Sequence, residues 1–266
     1  MLLVSSIFSL ALLSIVKSEE ECKCGIENIK PRIINGRRSA PGTFPWVVYI
    51  EEMKWFSRTK CTGSIISPSF IMTAAHCVPE DESPHSLTVY TYQGCGIRRL
   101  RSGPKYKVKK VIRNKDFKGT MDGDDIALLQ LESPIRNAMP ICLPKTVREF
   151  KNLVVAGWGM ENKGYDMVDY DCLNEVEVAT VSPQSCWLLY RMNRDKVMCA
   201  GGDTGVCEGD SGGPLMSRTN GLVYQAGVTS FTRTDCGVAT KTPAGFERVV
   251  NHLDWIKSNS FGACFK

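Results

Sequence analysis

Short runs of β-branched and aromatic residues recur along this chain, at 46–50, 63–67, 87–92, 107–112, 126–131, 153–156, 176–181, 223–228 and 245–249, and Gly, Pro, Asn and Asp punctuate them. Many short strands with turn residues between them fit an all-β sandwich or barrel. Lys107, Val108 and Lys109 alternate polar and apolar, as a half-exposed strand does. Helical signals are few. The best is 249–258, where Val250, Leu253, Trp255 and Ile256 fall near helical spacing. A length of 266 residues allows one large domain or two small ones.

Twelve cysteines are too many for an ordinary cytosolic enzyme. Cys22 and Cys24 form only a CxC with no second close pair and His beside it, so a zinc site is not expected, and an oxidising compartment is. The first residues, MLLVSSIFSLALLSIVKS, agree: an apolar stretch precedes Val16-Lys17-Ser18, which suits signal-peptidase cleavage after Ser18. That stretch falls short of the ~20 residues a membrane span needs, and no later segment is longer and as apolar. A secreted, extracellular protein is therefore expected, with no membrane partner. The net charge of +5 is too mild to point to nucleic acid.

Nucleophilic catalysis by a serine needs a base, a group that orients the base, and donors for the oxyanion. CEGDSGGP, from Cys207 to Pro214, sets Ser211 among glycines: a tight loop, or a bend that presents a hydroxyl. Of three histidines, His76 in TAAHC is the preferred base, with an ordinary core histidine as the alternative. His85 lies in a polar loop, and His252 on the terminal helix reads as a surface residue. In DGDDIALLQL, Asp125 opens an apolar strand that would carry its carboxylate inward, while Asp122 and Asp124 read as loop acids.

TAAHC, DDIALL and GDSGGP, in that order, resemble the chymotrypsin family of serine proteases, as do PRIING, FPW, AGWG, ICLP, MCAGG and HLDWI. The similarity runs from Ile33 to about Ser260. It implies two antiparallel six-stranded Greek-key β-barrels with a C-terminal α-helix and the active site between the barrels. The divisions expected are a signal peptide at 1–18, a propeptide at 19–32 and a protease domain at 33–266. Within the last, 33–146 is the first barrel, 147–249 the second and 250–260 the helix. The resemblance makes Ser211 the nucleophile, His76 the base and Asp125 its orienting acid, with the N–H groups of Gly209 and Ser211 as the oxyanion hole. KPRIING resembles an activation site: cleavage after Arg32 by an activating protease frees the amine of Ile33 to pair with Asp210. No cofactor is implied, and the partners are protein or peptide substrates of a monomeric enzyme, of the kind found in digestion, in venoms and in haemolymph.

The resemblance also pairs cysteines: Cys61 with Cys77, Cys186 with Cys199, Cys207 with Cys236, and propeptide Cys24 with Cys142. Cys22, Cys95, Cys172 and Cys264 allow three connectivities, of which Cys95–Cys172 with Cys22–Cys264 is preferred. At the specificity pocket, Gly205 stands where trypsins carry aspartate, followed by Val206. Ser230, Phe231, Thr232 and Ala244 fall on the walls, the last two at positions usually glycine. The pattern resembles elastases, which cut after small aliphatic residues. A chymotrypsin-like preference stays open, as does a trypsin-like one if the shortened CAGGDTGVC loop brings Asp203 to the pocket floor.

Nine Lys or Arg and no acid occupy 96–115. By resemblance this is where some relatives bind calcium. Cations are the wrong ligand set, so no metal is expected there. A solvated face is the plain reading, and a surface for acidic partners the sharper one. An endopeptidase is favoured over a non-catalytic relative acting as a binding protein, because every catalytic part is kept.

Overall fold

The computed structural model describes residues 22–28, 37–54, 57–147, 150–159, 161–163, 166–168, 172–201, 206–207, 209–232 and 242–266. Residues 1–18, expected as a signal peptide, and Arg32, Ile33, Asp203, Gly205 and Cys236 lie outside them.

After β1 (Arg37–Arg38), six strands build the first half: β2 (Val47–Met53), β3 (Arg58–Ser67), β4 (Phe70–Thr73), β5 (Leu87–Tyr90), β6 (Lys105–Arg113) and β7 (Ala127–Leu131). They close into an antiparallel barrel in the order β2-β3-β4-β7-β6-β5. Closure through β2 and β5 leaves no free edge to aggregate. Ile50, Ile71, Val89 and Leu129 join one buried core. β4 was not among the expected strands; it is a four-residue arm of the hairpin with β3.

The second half runs through β8 (Leu153–Gly157), β9 (Glu161–Lys163), β10 (Asp166–Val168), β11 (Asn174–Val178), β12 (Thr180–Val181), β13 (Val197–Ala200), β14 (Pro214–Thr219), β15 (Leu222–Phe231) and β16 (Ala244–Arg248). Among the described residues β9 and β10 pair only with each other. The rest form an antiparallel sheet in the order β1-β11-β8-β14-β15-β16-β13-β12. The second barrel is a half-barrel, built of eight strands among the described residues. β1 adds one end by pairing Arg37 with Glu175, and β12 adds the other. Asn220 and Gly221 join β14 to β15 with left-handed φ of 52° and 76°, the conformation a two-residue hairpin turn requires.

Two short helices interrupt the strands, α1 (Ile97–Ser102) and α2 (Pro183–Tyr190). α2 starts on a legible cap: Ser182 Oγ accepts from Ser185 N, with Pro183 in the first turn. The C-terminal helix, α3 (Leu253–Asn259), follows a 3-10 turn at Val249–His252 and buries Leu253 and Ile256.

Polar and aromatic contacts lock the halves together. Ser64 Oγ donates to Gln225 Oε1 at 2.6 Å, Trp46 Nε1 to Met216 Sδ at 3.2 Å, and Tyr49 meets Trp158 edge-on. Residues 22–28 form a strap across the second half. Cys24 is bonded to Cys142 and Cys22 to Cys264, while Glu27 receives a bidentate bond from Arg218. Gly25 lies so close to β15 that a Cβ there would sit 2.5 Å from the Val223 carbonyl. Cys61–Cys77, Cys186–Cys199 and Cys95–Cys172 are also bonded. Cys207 is disulfide-bonded as well, and its expected partner, Cys236, lies outside the described residues.

Candidate active site

His76 stands in a one-turn 3-10 segment, Ala75–Cys77, at the end of β4, and the Cys61–Cys77 bond ties that turn to β3. Its side chain is 28% exposed. Nδ1 lies 2.7 Å from Asp125 Oδ2, and the His76 backbone N donates to Asp125 Oδ1 at 2.9 Å. An Nδ1–H held by a carboxylate leaves Nε2 as the acceptor, the tautomer a general base needs.

Asp125 is fully buried, which only a well-partnered carboxylate tolerates. Besides the two His76 donors, Ser230 Oγ donates to Oδ2 at 2.5 Å. Ser230 was expected at the specificity pocket; its hydroxyl is spent on Asp125. Asp125 reaches this place because Asp124, with φ of 60°, turns the chain into β7.

Ser211 sits in a loop of tight backbone bonds. Asp210 N donates to Cys207 O and Gly213 N to Asp210 O, and the Ser211 carbonyl accepts from Thr62 N of β3 at 2.8 Å. Gly212 has φ of 79°, and a Cβ there would sit 2.1 Å from Thr73 Oγ1 and 3.0 Å from Ala74 N. Only glycine lets this loop press against the strand end that carries His76. Gly209 likewise has φ of 100° and faces the Trp158 carbonyl at 3.1 Å from an added Cβ. The Ser211 side chain makes no hydrogen bond among the described residues.

The Asp210 carboxylate lies between the backbone of its own loop and the backbone just after β8. Oδ1 accepts from Gly159 N at 2.7 Å and Oδ2 from Cys207 N at 2.9 Å. A Cβ at Gly157 or Gly159 would come within 2.1 Å of its oxygens, which is why AGWG needs both glycines. No cation reaches it among the described residues. Burial pushes its carboxyl up from 3.8 to about 6, against the two amide bonds that pull it down.

Of the other pocket candidates, Val206 and Ala244 are buried in a cluster with Ala200, Leu215 and Phe246. Phe231 and Thr232 are half-buried; the Phe231 ring covers Gly245 and meets Tyr190 edge-on at 5.1 Å.

Two sequence expectations are corrected. His252 is not a surface residue: it is 5% exposed, and its Nε2 lies 2.6 Å from Oε1 of the fully buried Glu247. Asp124 is not a free loop acid but is buried against Lys196 Nζ at 2.5 Å. The 3-10 turn before α3 rotates His252 inward, away from the face that helical spacing assigned it. A glutamate inside the apolar run AGFERVV was the one available signal.

The trypsin family profile matches residues 33–256. Coagulation factor XI of Bos taurus is 32% identical over 247 residues, 88% of this chain and 39% of that protein. Melanization protease 1 of Drosophila melanogaster is 33% identical, covering 89% and 67%, and phenoloxidase-activating factor 3 of Holotrichia diomphalia 32%, covering 90% and 75%. The chain thus spans well under half of factor XI and about two thirds or more of the two insect proteins. With the closed barrel, the half-barrel and the terminal helix of that fold in place, the chain belongs to the trypsin family of serine proteases.

Proposed function

We propose that this chain is a secreted serine endopeptidase made as an inactive precursor and switched on by cleavage after Arg32. One observation carries the reading: the His76–Asp125 pair at 2.7 Å stands on the same strand ends against which the Ser211 loop is pressed. In this reading Ser211 Oγ attacks the scissile carbonyl while His76 Nε2 takes its proton. The oxyanion is received by the N–H groups of Gly209 and Ser211. His76 returns the proton to the leaving amine, and a water, activated in the same way, frees the acyl-enzyme. Asp125 holds the imidazole throughout. Residues 1–18 are the signal peptide, and 19–32 the propeptide, which its cysteines keep attached after the cut. A cut chain whose Ser211 resists a fluorophosphonate probe would refute the assignment.

Specificity for small aliphatic residues rests on Thr232 and Ala244 at wall positions that wide pockets leave as glycine, and on the absence of an acid at Gly205. A peptide-library profile of the cut chain is expected to show Ala or Val before the scissile bond. A dominant Arg or Lys would place Asp203 at the pocket floor, and a dominant aromatic residue would show that the walls do not narrow it.

The basic run offers a surface for acidic partners. Arg98, Arg99, Lys105, Lys109, Lys110 and Lys115 are exposed and carry no ion pair among the described residues. The bulge of β6 between Val108 and Lys110 exposes Lys109 and Lys110 together. On a heparin column, Lys109→Glu with Lys110→Glu is expected to elute at clearly lower salt than the native chain, since each neutralised anion adds to the salt dependence. Elution at the same salt would leave the run a solvated face.

A further inference from the structure

Directly behind the His76–Asp125 pair lies a second histidine–carboxylate pair that the proposed chemistry does not use. Glu247 ends the buried part of β16 and has no exposure. Its Oε1 lies 2.6 Å from His252 Nε2, and its Oε2 accepts from the backbone N of Asp125 at 3.3 Å. Asp124 Oδ1 is 3.9 Å from the same His252 nitrogen, and Asp124 Oδ2 is 2.5 Å from Lys196 Nζ. Lys196 also bounds the loop from below: a Cβ on Gly123 would meet the Lys196 side chain at 2.5 Å. The His252 ring is set edge-on to Trp255. Gly123, Asp124 and Asp125 are therefore gripped from one side by Lys196 and Glu247, and from the other by His76 and Ser230.

Asp124, Glu247 and His252 place ligand atoms within 4.8 Å of one another, the spacing of a metal site. The charges argue otherwise. Two carboxylates already face an ammonium and an imidazole that can carry a proton, and a divalent ion would have to displace Lys196 from its bond to Asp124. The cluster closes on its own charges. Burial pushes the Glu247 carboxyl up, and the bonds from His252 and the Asp125 amide oppose that rise.

We propose that Glu247 and His252 are a positioning pair for Asp125: Glu247 holds the Asp125 backbone amide and His252 holds Glu247, so that the Asp125 carboxylate is aimed at His76 Nδ1. This rests on the protease reading above, but its geometry is present whether or not the chain turns over substrate. A small swing of Asp125 would tilt the imidazole, and misplacement of a reacting group by about 1 Å costs on the order of 100-fold in rate.

The test uses the full chain cut after Arg32, with Glu247→Ala, Glu247→Gln and His252→Phe, and rates expressed per active site titrated with a fluorophosphonate probe. Glu247→Ala and His252→Phe are expected to lose about ten- to hundredfold in kcat. KM should stay within about twofold, since substrate contacts are untouched. Glu247→Gln keeps an oxygen for the Asp125 amide and is expected to recover most of the loss. The low-field proton resonance of His76 Nδ1–H should move in the two disruptive variants and stay in place in Glu247→Gln. Unchanged kcat per titrated site, a loss carried by KM, or an unmoved resonance would overturn the proposal. One zinc ion per chain retained through purification and lost in Glu247→Ala would overturn it in favour of a metal site. If the cut native chain is inert to the probe, the protease reading fails, and the resonance comparison still decides the positioning claim.

Discussion

Ser211→Ala in the cut chain is expected to lower kcat/KM on a peptide substrate by about 10⁶-fold, the scale on which removing the nucleophile of a serine triad acts. Its melting temperature should stay close to that of the native chain. The expected size follows from the division of labour in the loop. The backbone at 209–213 is fixed by bonds of Thr62 N to the Ser211 carbonyl and Gly212 N to Thr229 O, none of which involves the hydroxyl. Deleting Oγ therefore removes the atom proposed to attack and leaves its scaffold. Hydrolysis that persists above about a thousandth of the native rate would take the nucleophile's role from Ser211.

Asp210→Asn is expected to be cut after Arg32 as readily as the native chain and to stay inactive by more than about 100-fold. On the proposed switch, the pair that the Ile33 ammonium would form with Asp210 is lost, and breaking a buried pair by removing one partner costs about 3–5 kcal/mol. The same group gives the uncut chain a pH signature. Its carboxyl is raised from 3.8 to about 6 by burial, with no cation against it among the described residues. Between those values the folded chain holds a proton that the unfolded chain has released. Stability of the uncut chain therefore falls as pH rises through that window, by on the order of 3 kcal/mol, and levels off above it. If the Ile33 ammonium pairs with Asp210 in the cut chain, as the proposed switch requires, it offsets the burial and the fall should be absent. Urea unfolding midpoints of both forms from pH 4 to 7 check this. A flat profile for the uncut chain, or the same fall in both, would remove Asp210 from the switch.

The strand runs were legible because burial of one face imposes alternation or a continuous apolar stretch, and β2, β7 and β15 fall on such runs. β4 and β14 were not: each is short and borders a motif, TAAHC or GDSGGP, whose apolar and small residues mask the period. α1 has no side-chain cap and sits in an arginine run, so nothing local announced it. At the site, the pairing of His76 with Asp125 could be read from residue types and order, whereas Ser230 could not. β15 bulges against β16 between Thr229 and Phe231; the bulge aims Ser230 at Asp125 and Phe231 at Tyr190, and it leaves no mark in the apolar pattern. Glu247 and His252 were missed for a related reason: their contact depends on a 3-10 turn between strand and helix, which leaves no periodic trace in the sequence.

The central claim, that Ser211 is a nucleophile switched on by a cut after Arg32, is tested most directly by covalent labelling. The full chain is treated with a fluorophosphonate probe before and after cleavage, and the modified residue is located by mass spectrometry. The account predicts one adduct per chain, on Ser211, formed rapidly only after the cut and absent in Asp210→Asn. An intact Ile33 terminus with no adduct, or an adduct that survives in Ser211→Ala, would contradict it.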